Sequence, residues 1–403
     1  MALRVRNGLV LVRAETTEGV DSVPTAAADA LAAFSISRNT NPDVVEDNEF
    51  RGGLGSGEPV IGAFRPQLTT QHNFYGSGTP ATPPRLAALF PIAELIQTIN
   101  PFAATIPTTG TTTAASGSAT TITIDRTVGN GADWPASTLL GIPLLGNPVL
   151  LAGNPATQTV DFITGYTVAG NIATITFSRT YSPILSVATT IVRPNCIVWG
   201  PGAPSPDPSA SVYLFRDGIL ERFVGCRANL ALTMRGGNKW SVQSTINGVL
   251  LDRTDVAVPT ATFDLTSPSI WTNGIMTINR VDAAVSQMTI DLGNQGQFPT
   301  NPNALAGIDP YLVGSRRVTG SVDPILTLVA TRNLLASLQA QTKLLIAAML
   351  GGRTGGSPGN RWGIVIPNAK LMDNQITEDN VILRETVPFQ CTGFVNEFFL
   401  SHF

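Results

Sequence analysis

Charge is scarce in this chain, since charged residues make up 13% of its 403 positions, about half the fraction of an average soluble protein. The formal net charge is -3, and neither sign forms a long run. A basic patch for binding nucleic acid is therefore not expected. So few charges leave much of the surface neutral, which suits a protein whose faces are covered by copies of itself.

Histidine and cysteine are also rare. The two histidines, His72 and His402, lie in no catalytic motif, and the absence of G-x-S-x-G argues against a serine hydrolase. The sequence thus predicts no enzyme. Cys196, Cys226 and Cys391 are far apart, with neither metal-binding spacing nor an even disulfide framework. We expect reduced, buried thiols.

Long apolar runs are missing as well. No stretch reaches the roughly 18–20 apolar residues of a membrane helix, and the nearest, residues 139–151, is interrupted by Pro143, Asn147 and Pro148. That stretch predicts a buried loop or a pair of strands. Polar residues break residues 1–12 too early for the core of a signal peptide. Neither membrane insertion nor secretion is therefore expected.

The residues that are abundant favour β-structure. Thr, Ser, Gly, Pro and Val dominate short alternating segments between turn residues, which predicts a mainly β fold. Two segments have helical spacing. Residues 84–96 predict a helix capped by Thr82 with Pro84 at its first position. Residues 332–350 predict a second helix, with leucines near one face and two glycines after its end.

The order of these segments repeats along the chain. A polar loop, an extended run, a helix and alternating strands occur in each half, so we expect duplicated β-sandwich or half-barrel modules with one helix each. The polar loops are residues 43–59 and 294–309, the extended runs 61–75 and 311–329, and the strand regions 211–251 and 362–403.

The two modules are not equally continuous. We assign residues 1–107 and 197–257 to the first module and residues 258–403 to the second. Residues 108–196 predict an inserted β domain that projects from the body, with strands at 157–163 and 171–179. The proline-rich residues 201–208 read as the linker back to the first module.

Two segments could be mistaken for ligand sites. Gly76, Gly78 and Ala81 fit the loose dinucleotide fingerprint G-x-G-x-x-A. The prolines around them remove the N–H donors of a phosphate cradle, so a tight strand-to-helix turn is the preferred interpretation. The acidic cluster of residues 43–49 lacks the glycine and alternating oxygen ligands of a calcium loop, which indicates a solvated loop. No metal or cofactor is expected.

A family resemblance is carried by the order of several motifs. The run Gly76-Ser77-Gly78-Thr79-Pro80, followed by the leucine-rich residues 84–89, resembles the tail tube proteins (major tail proteins) of long-tailed bacteriophages. The strands and turns of residues 211–250, with Arg216-Asp217-Gly218 and Val224-Gly225-Cys226-Arg227-Ala228, are similar to the next element of that family. The resemblance covers about three quarters of the chain and excludes the inserted domain.

The resemblance implies a structural virion protein. Six family folds form a ring whose sheets line a channel for DNA, so a chain holding two folds implies a trimeric pseudo-hexamer in preference to a hexamer. Implied partners are further copies of the chain, the tape measure protein, the tail terminator and the baseplate proteins. DNA would pass without specific binding, and the chain would be assembled in the host cytoplasm and end in the virion tail.

Stacking of such rings needs contacts that reach the adjacent ring. The candidate contact residues lie in the two long polar loops: Asp43, Glu46, Asp47, Glu49, Arg51, Asn294, Asn301, Asn303 and Asp309. Two alternatives remain open at this stage. One is a capsid-decorating or adhesive β-sandwich protein, and the other is a dinucleotide-binding enzyme.

Overall fold

A computed structural model gives the fold of most of the chain. It describes residues 7–46, 58–99, 111–113, 116–127, 134–136, 145–153, 156–182, 184–185, 189–192, 195–201, 207–264, 266–304, 306–352, 358–393 and 397–403. This part of the chain is mainly β, as the sequence predicts, and its strands form one large sheet, a second seven-stranded sheet and two small ribbons.

The first half of the chain supplies the strands on either side of the inserted segment. They are β1 (Gly8–Ala14), β2 (Ala30–Leu31), β3 (Ser35–Asn39), β4 (Pro42–Val45), β5 (Val60–Phe64), β6 (Gln67–Asn73), β7 (Leu95–Ile99), β15 (Ile197–Pro201), β16 (Ala210–Arg216), β17 (Ile219–Arg235) and β18 (Ser241–Asp255). All of these except β4 and β5 belong to the 18-stranded sheet.

The intervening segment forms the seven-stranded sheet. Its strands are β8 (Thr111–Thr113), β9 (Ser116–Gly117), β10 (Thr121–Asp125), β11 (Pro148–Gly153), β12 (Ala156–Ala169), β13 (Ile172–Phe177) and β14 (Thr190–Val192). The strands expected at 157–163 and 171–179 are confirmed. Residues 137–144 lie outside the described part, and the rest of the apolar stretch is mainly β11.

The second half of the chain completes the large sheet. Its strands are β19 (Met276–Ile278), β20 (Val281–Asp282), β21 (Val285–Asp291), β22 (Asn294–Gln297), β23 (Leu312–Arg316), β24 (Thr319–Pro324), β25 (Lys343–Leu350), β26 (Trp362–Leu371), β27 (Gln375–Asp379), β28 (Ile382–Cys391) and β29 (Phe399–His402). Strands β22 and β23 form a separate ribbon, as do β4 and β5.

The first predicted helix is replaced by two short 3₁₀ helices, Arg85–Leu89 and Pro91–Ala93. Thr82 does not cap them, since the residue before the first turn is Pro84 and the Arg85 N–H donates instead to the Asp264 carboxylate at 2.8 Å. Pro91 has no N–H to continue a helical ladder. Glu94 then takes a left-handed φ of 60° and ends the segment before β7.

The second predicted helix is wrong beyond its first turns. Helix α1 (Leu334–Gln339) begins at Asn333, whose side chain accepts a hydrogen bond from the Ala336 N–H, and the chain turns at Gln341, where φ is 53°. Residues 344–350 then form a strand buried on both faces. A continuous apolar run fits either a helix or such a strand, and the layers on its two sides decide between them.

The main core is organised around aromatic rings. Trp362 stacks on Trp199 with ring centroids 5.7 Å apart, and Phe74 meets Trp362 edge to face at 4.9 Å. The seven-stranded sheet packs on the other side of β25 and β26, where Phe162 joins a cluster with Met349 and other residues of these strands. The inserted sheet is thereby held against the second half of the chain.

Candidate assembly surfaces

Eight strands of the large sheet form a continuous antiparallel ribbon with contributions from both halves of the chain. Its order is β3, β6, β18, β17, β21, β24, β28 and β27. Four strands come from each half, and the halves meet where β17 pairs with β21. This ribbon therefore combines strands of both halves in one regular surface.

One face of the ribbon is covered by the core. Leu232, Met234, Met288 and Ile290 are each at most 2% exposed on this face. His72 is buried on the same face, with Nδ1 donating to the Ala32 carbonyl at 2.9 Å and Nε2 2.7 Å from the Thr70 hydroxyl.

Both histidines are buried structural residues. Burial lowers the pKa of His72 to about 4, and it does the same for His402, whose Nε2 lies 3.0 Å from the Gly359 carbonyl oxygen. The three cysteines are free and buried, as the sequence predicts.

The opposite face of the ribbon is polar and almost uncharged. Cross-strand side-chain hydrogen bonds run over it, including Gln71 to Gln243 at 3.1 Å and Thr289 to Ser321 at 2.9 Å. Its hydroxyl and amide side chains include Ser35, Ser37, Asn39, Gln67, Thr69, Gln71, Asn73, Asn229, Thr233, Ser241, Gln243, Thr245, Asn247, Gln287, Thr289, Thr319, Ser321, Gln375, Thr377, Thr386 and Gln390.

The few charges on the polar face nearly cancel. Arg235 and Arg384 oppose Asp291, Asp323 and Asp379. Arg384 and Asp379 form an ion pair at 2.9 Å, and Asp291 accepts a hydrogen bond from Asn229 at 2.8 Å. The face therefore offers no concentrated charge to a phosphate backbone.

The ribbon ends in two open edges. Within the described residues, β3 pairs only with β6 and β27 pairs only with β28. All five residues of β27 are exposed, and Ile376 is 64% exposed. An open edge leaves a row of backbone N–H and C=O groups without partners, which is a template for pairing with another strand.

Both predicted polar loops contain strands, so their description as loops is wrong in part. Strand β4 pairs with β5, and β22 pairs with β23. We call the first hairpin arm 1 and the second arm 2. Each arm continues the register of the strand pair from which it leaves. In arm 2, Asn294 faces Arg316, three residues beyond the facing pair Asp291 and Thr319.

Arm 1 is largely open to solvent. Val45 and Val60 face one another across it and are 61% and 63% exposed. Asp43 binds Arg65 at 2.5 Å, and Glu46 is exposed at the end of the described arm. The remaining candidates of this segment, Asp47, Glu49 and Arg51, lie outside the described residues. The apolar surface of the arm was missed in the sequence because the segment is dominated by its acidic residues.

The candidate residues of arm 2 mostly shape the arm itself. Asn294 is held at its base, donating to the Ala93 carbonyl at 3.1 Å and to the Ala228 carbonyl at 3.0 Å. Asn301 donates to Asp309 at 2.7 Å and also accepts from the Asn303 N–H at 2.9 Å. Of these four, Asn303 is the most accessible.

Arm 2 is also anchored to the first half of its own chain. The guanidinium of Arg227, 1% exposed, pairs with Glu18 at 2.7 Å and with Asp207 at 2.8 Å. The same guanidinium donates to the carbonyl of Tyr311, at the root of β23. Sequence reasoning gave Arg227 no such role, since its partners lie in three segments that are well separated from it along the chain.

The glycine turn that resembles a dinucleotide fingerprint is occupied by the chain itself. The Gly76 N–H donates to the Asn360 side chain at 3.1 Å, and the Gly78 N–H donates to the Gly359 carbonyl at 2.9 Å. A Cβ at Gly76 would overlap the Gly359 carbonyl oxygen. The glycines therefore allow two segments of backbone to approach closely, and neither of these two amides is free for a phosphate.

Other site types find little support in the described part of the chain. There, no group of three or more His, Cys, Asp or Glu residues is close enough to hold a metal ion. None of the helices in the described ranges is long and apolar enough to span a membrane. In comparisons with known proteins, no protein-family model matches the chain, and no curated protein matches its sequence.

Proposed function

We propose that the chain is a structural protein that assembles with its own copies into rings, and that the rings stack into a tube through which DNA passes, as in a phage tail. The observation that supports this most is the eight-stranded ribbon with two open edges, one buried face and one polar face that is almost uncharged. An antiparallel ribbon of this kind satisfies its edges when copies join side by side.

The dimensions of a closed ring fit such a channel. Three copies of eight strands would give 24 strands. With about 4.8 Å between strands and a tilt of about 40°, the barrel would be about 48 Å across between backbones. Side chains on the inner face would leave a channel of roughly 35–40 Å, which admits a DNA duplex. Three chains per ring are favoured because each chain contributes two comparable sets of four strands.

The polar face suits the lining of this channel. Two arginines and three aspartates nearly balance one another on it. Strong positive potential would retain DNA, whereas a nearly neutral, hydrated surface lets the duplex slide. An adhesive or capsid-decorating protein would have no need for a polar face framed by two open strand edges.

Negative-stain electron microscopy of the purified protein at high concentration tests the proposal. Rings with a central hole, or tubes built from them, are the expected result. Dispersed particles without rings over a wide concentration range would refute it and would favour the adhesive or decorating protein.

Stacking of the rings is assigned to arm 1, whose valines are exposed in the single chain. Replacing Val45 and Val60 by Thr keeps β-branched side chains in the arm but removes apolar surface, so rings should persist while tubes shorten or disappear. The matched control replaces Leu328 and Val329, 81% and 71% exposed and outside the arms, by Thr. Equal tube lengths for both double variants in electron micrographs would contradict this role.

A further inference from the structure

Within the eight-stranded ribbon the two halves of the chain meet at one junction, and this junction can serve as a template for pairing between protomers. Residues 231–235 of β17 pair antiparallel with residues 287–291 of β21. The pairs include Leu232 with Ile290 and Thr233 with Thr289. The template buries apolar side chains on the core face and extends the polar face without a break.

One side of the template has an equivalent at an open edge. Asp291 faces Thr319 in the pair β21–β24, and Asn39 faces Gln67 in the pair β3–β6. Both members of the second-half pair follow their first-half counterparts by the same offset in numbering (39 to 291 and 67 to 319). In both halves the arm leaves three residues later in the same register, with Pro42 facing Phe64 in arm 1. Strand β3 is therefore the first-half counterpart of β21.

The other side of the template has an equivalent at the other open edge. In the first half, Asn73 of β6 faces Ser241. The second-half counterpart of Asn73, by the same offset in residue number (73 to 325), is Ile325, and Ile325 forms a β-bridge with Arg384. Arg384 in the second half therefore corresponds to Ser241 in the first half.

The next strand across completes the correspondence. Ser241 faces Thr233 of β17, while Arg384 faces Thr377 of β27. Strand β27 is therefore the second-half counterpart of residues 231–235.

We infer that β27 of one protomer pairs antiparallel with β3 of the next, in the register of the β17–β21 junction. Thr377 would then face Ser37, since Thr233 faces Thr289 and the constant offset makes Ser37 the counterpart of Thr289 (37 to 289). On either side, Ile376 would face Arg38 and Glu378 would face Ile36. This inference rests on the proposed ring assembly and adds the junction by which the ring closes.

The side chains brought together in this register are compatible on the core face. Glu378 would lie diagonal to Arg38, and Ile376 diagonal to Ile36, which are distances that long side chains bridge in antiparallel pairs. Arg38 already binds Glu221 at 3.3 Å on this face, which holds its guanidinium near the edge.

The polar face is equally well matched. Gln375 would face Asn39, and Asp379, which is paired with Arg384, would face Ser35, so the nearly neutral polar surface would continue across the junction. No like charges would meet on either face. The exposed Ile376 would become covered, as Leu232 is in the template, where it is 2% exposed.

Engineered disulfides test the register directly. Thr377→Cys combined with Ser37→Cys places thiols on directly opposed residues, within the Cα separation of about 4.4–6.8 Å that a disulfide needs. The matched control, Thr377→Cys with Ser35→Cys, places them on a diagonal about 7–8 Å long. All three positions are exposed in the single chain, and the native cysteines are buried. Thermal melts should show that both variants remain folded.

Both double variants are oxidised at a concentration where electron microscopy shows rings, and they are resolved on a denaturing gel without reductant. The opposed pair should give covalent oligomers up to a trimer, with a yield at least ten-fold above that of the control. Equal or greater yield from the control would overturn the register. Rings without covalent oligomers from either variant would overturn the junction and leave the proposed function standing. The absence of both rings and covalent oligomers would overturn both.

Discussion

Replacing Ile376 by Lys should weaken ring assembly without weakening the fold of the single chain. Ile376 is 64% exposed, whereas Leu232 at the corresponding place of the in-chain junction is 2% exposed. Full burial of an isoleucine side chain is worth about 1.5–3 kcal/mol, so covering its exposed part contributes about 1–2 kcal/mol to each junction. The lysine variant loses this burial free energy, and the lysine ammonium group must also remain in water.

The effect is multiplied by closure of the ring. A ring of three chains has three such junctions, so the variant should lose about 3–6 kcal/mol of assembly free energy in total. Each junction then becomes about 5–30 times weaker in association constant. The concentration at which rings form, measured by sedimentation velocity and light scattering, should rise accordingly. The melting temperature of the dissociated chain should stay unchanged, because the side chain is exposed in it.

A matched variant separates this effect from a general change in solubility. Ile270 is 50% exposed and lies outside both edge strands, so Ile270→Lys should leave the assembly concentration unchanged. Equal assembly by wild type and Ile376→Lys would refute the assignment of β27 to the junction. Equal losses in the two variants would point to charge and solubility instead.

The remaining predictions concern stability. In a denaturant titration, Arg227→Met should lower the free energy of unfolding by about 3 kcal/mol. This is the low end for a broken buried ion pair, because the carboxylate partners of Arg227 are partly exposed. The control Arg253→Met, at a mostly exposed guanidinium, should lower it by less than about 1 kcal/mol. The folded-state pKa of about 4 for His72 and His402 lies below the unfolded 6.5, so stability present above pH 6.5 should fall as the pH drops towards 4, by up to about 3 kcal/mol per histidine. Denaturant titrations at pH 7 and 4.5 should show a smaller fall for His72→Gln, and identical falls would contradict the assignment.

Local patterns predicted the strands well and the helices poorly. Strands form in both regions of alternating residues, 211–251 and 362–403, and in β18 and β28 the alternation reflects one buried and one more accessible face. Residues 344–350 have no alternation because the main core covers one face and the inserted sheet the other. Local spacing could not reveal that second layer, so the run was assigned to a helix. The arms were described as loops because their polar and acidic residues obscure short strands that are stabilised by a partner strand.

The candidate assembly surfaces were also predictable from the sequence only in part. The resemblance drew attention to the two segments that form arms, and Asn303 and Glu46 are exposed there. Asn294, Asn301 and Asp309 instead bond within the chain. The positions of the open edges at β3 and β27 depend on which strands lack a second neighbour, and that is a property of the completed sheet.

The sequence by itself determined a mainly β chain with little charge, buried thiols and two similarly ordered halves, because composition and short-range periodicity act on each segment separately. The tertiary structure alone decided which strands became neighbours, which run was covered on both sides, and how Arg227 came to join segments far apart in the chain. Antiparallel pairing links residues through hydrogen bonds that depend on register and distance in space, and neither is encoded in the spacing of a single segment. The matching registers of the two halves, and with them the two open edges, therefore became visible only in the folded chain.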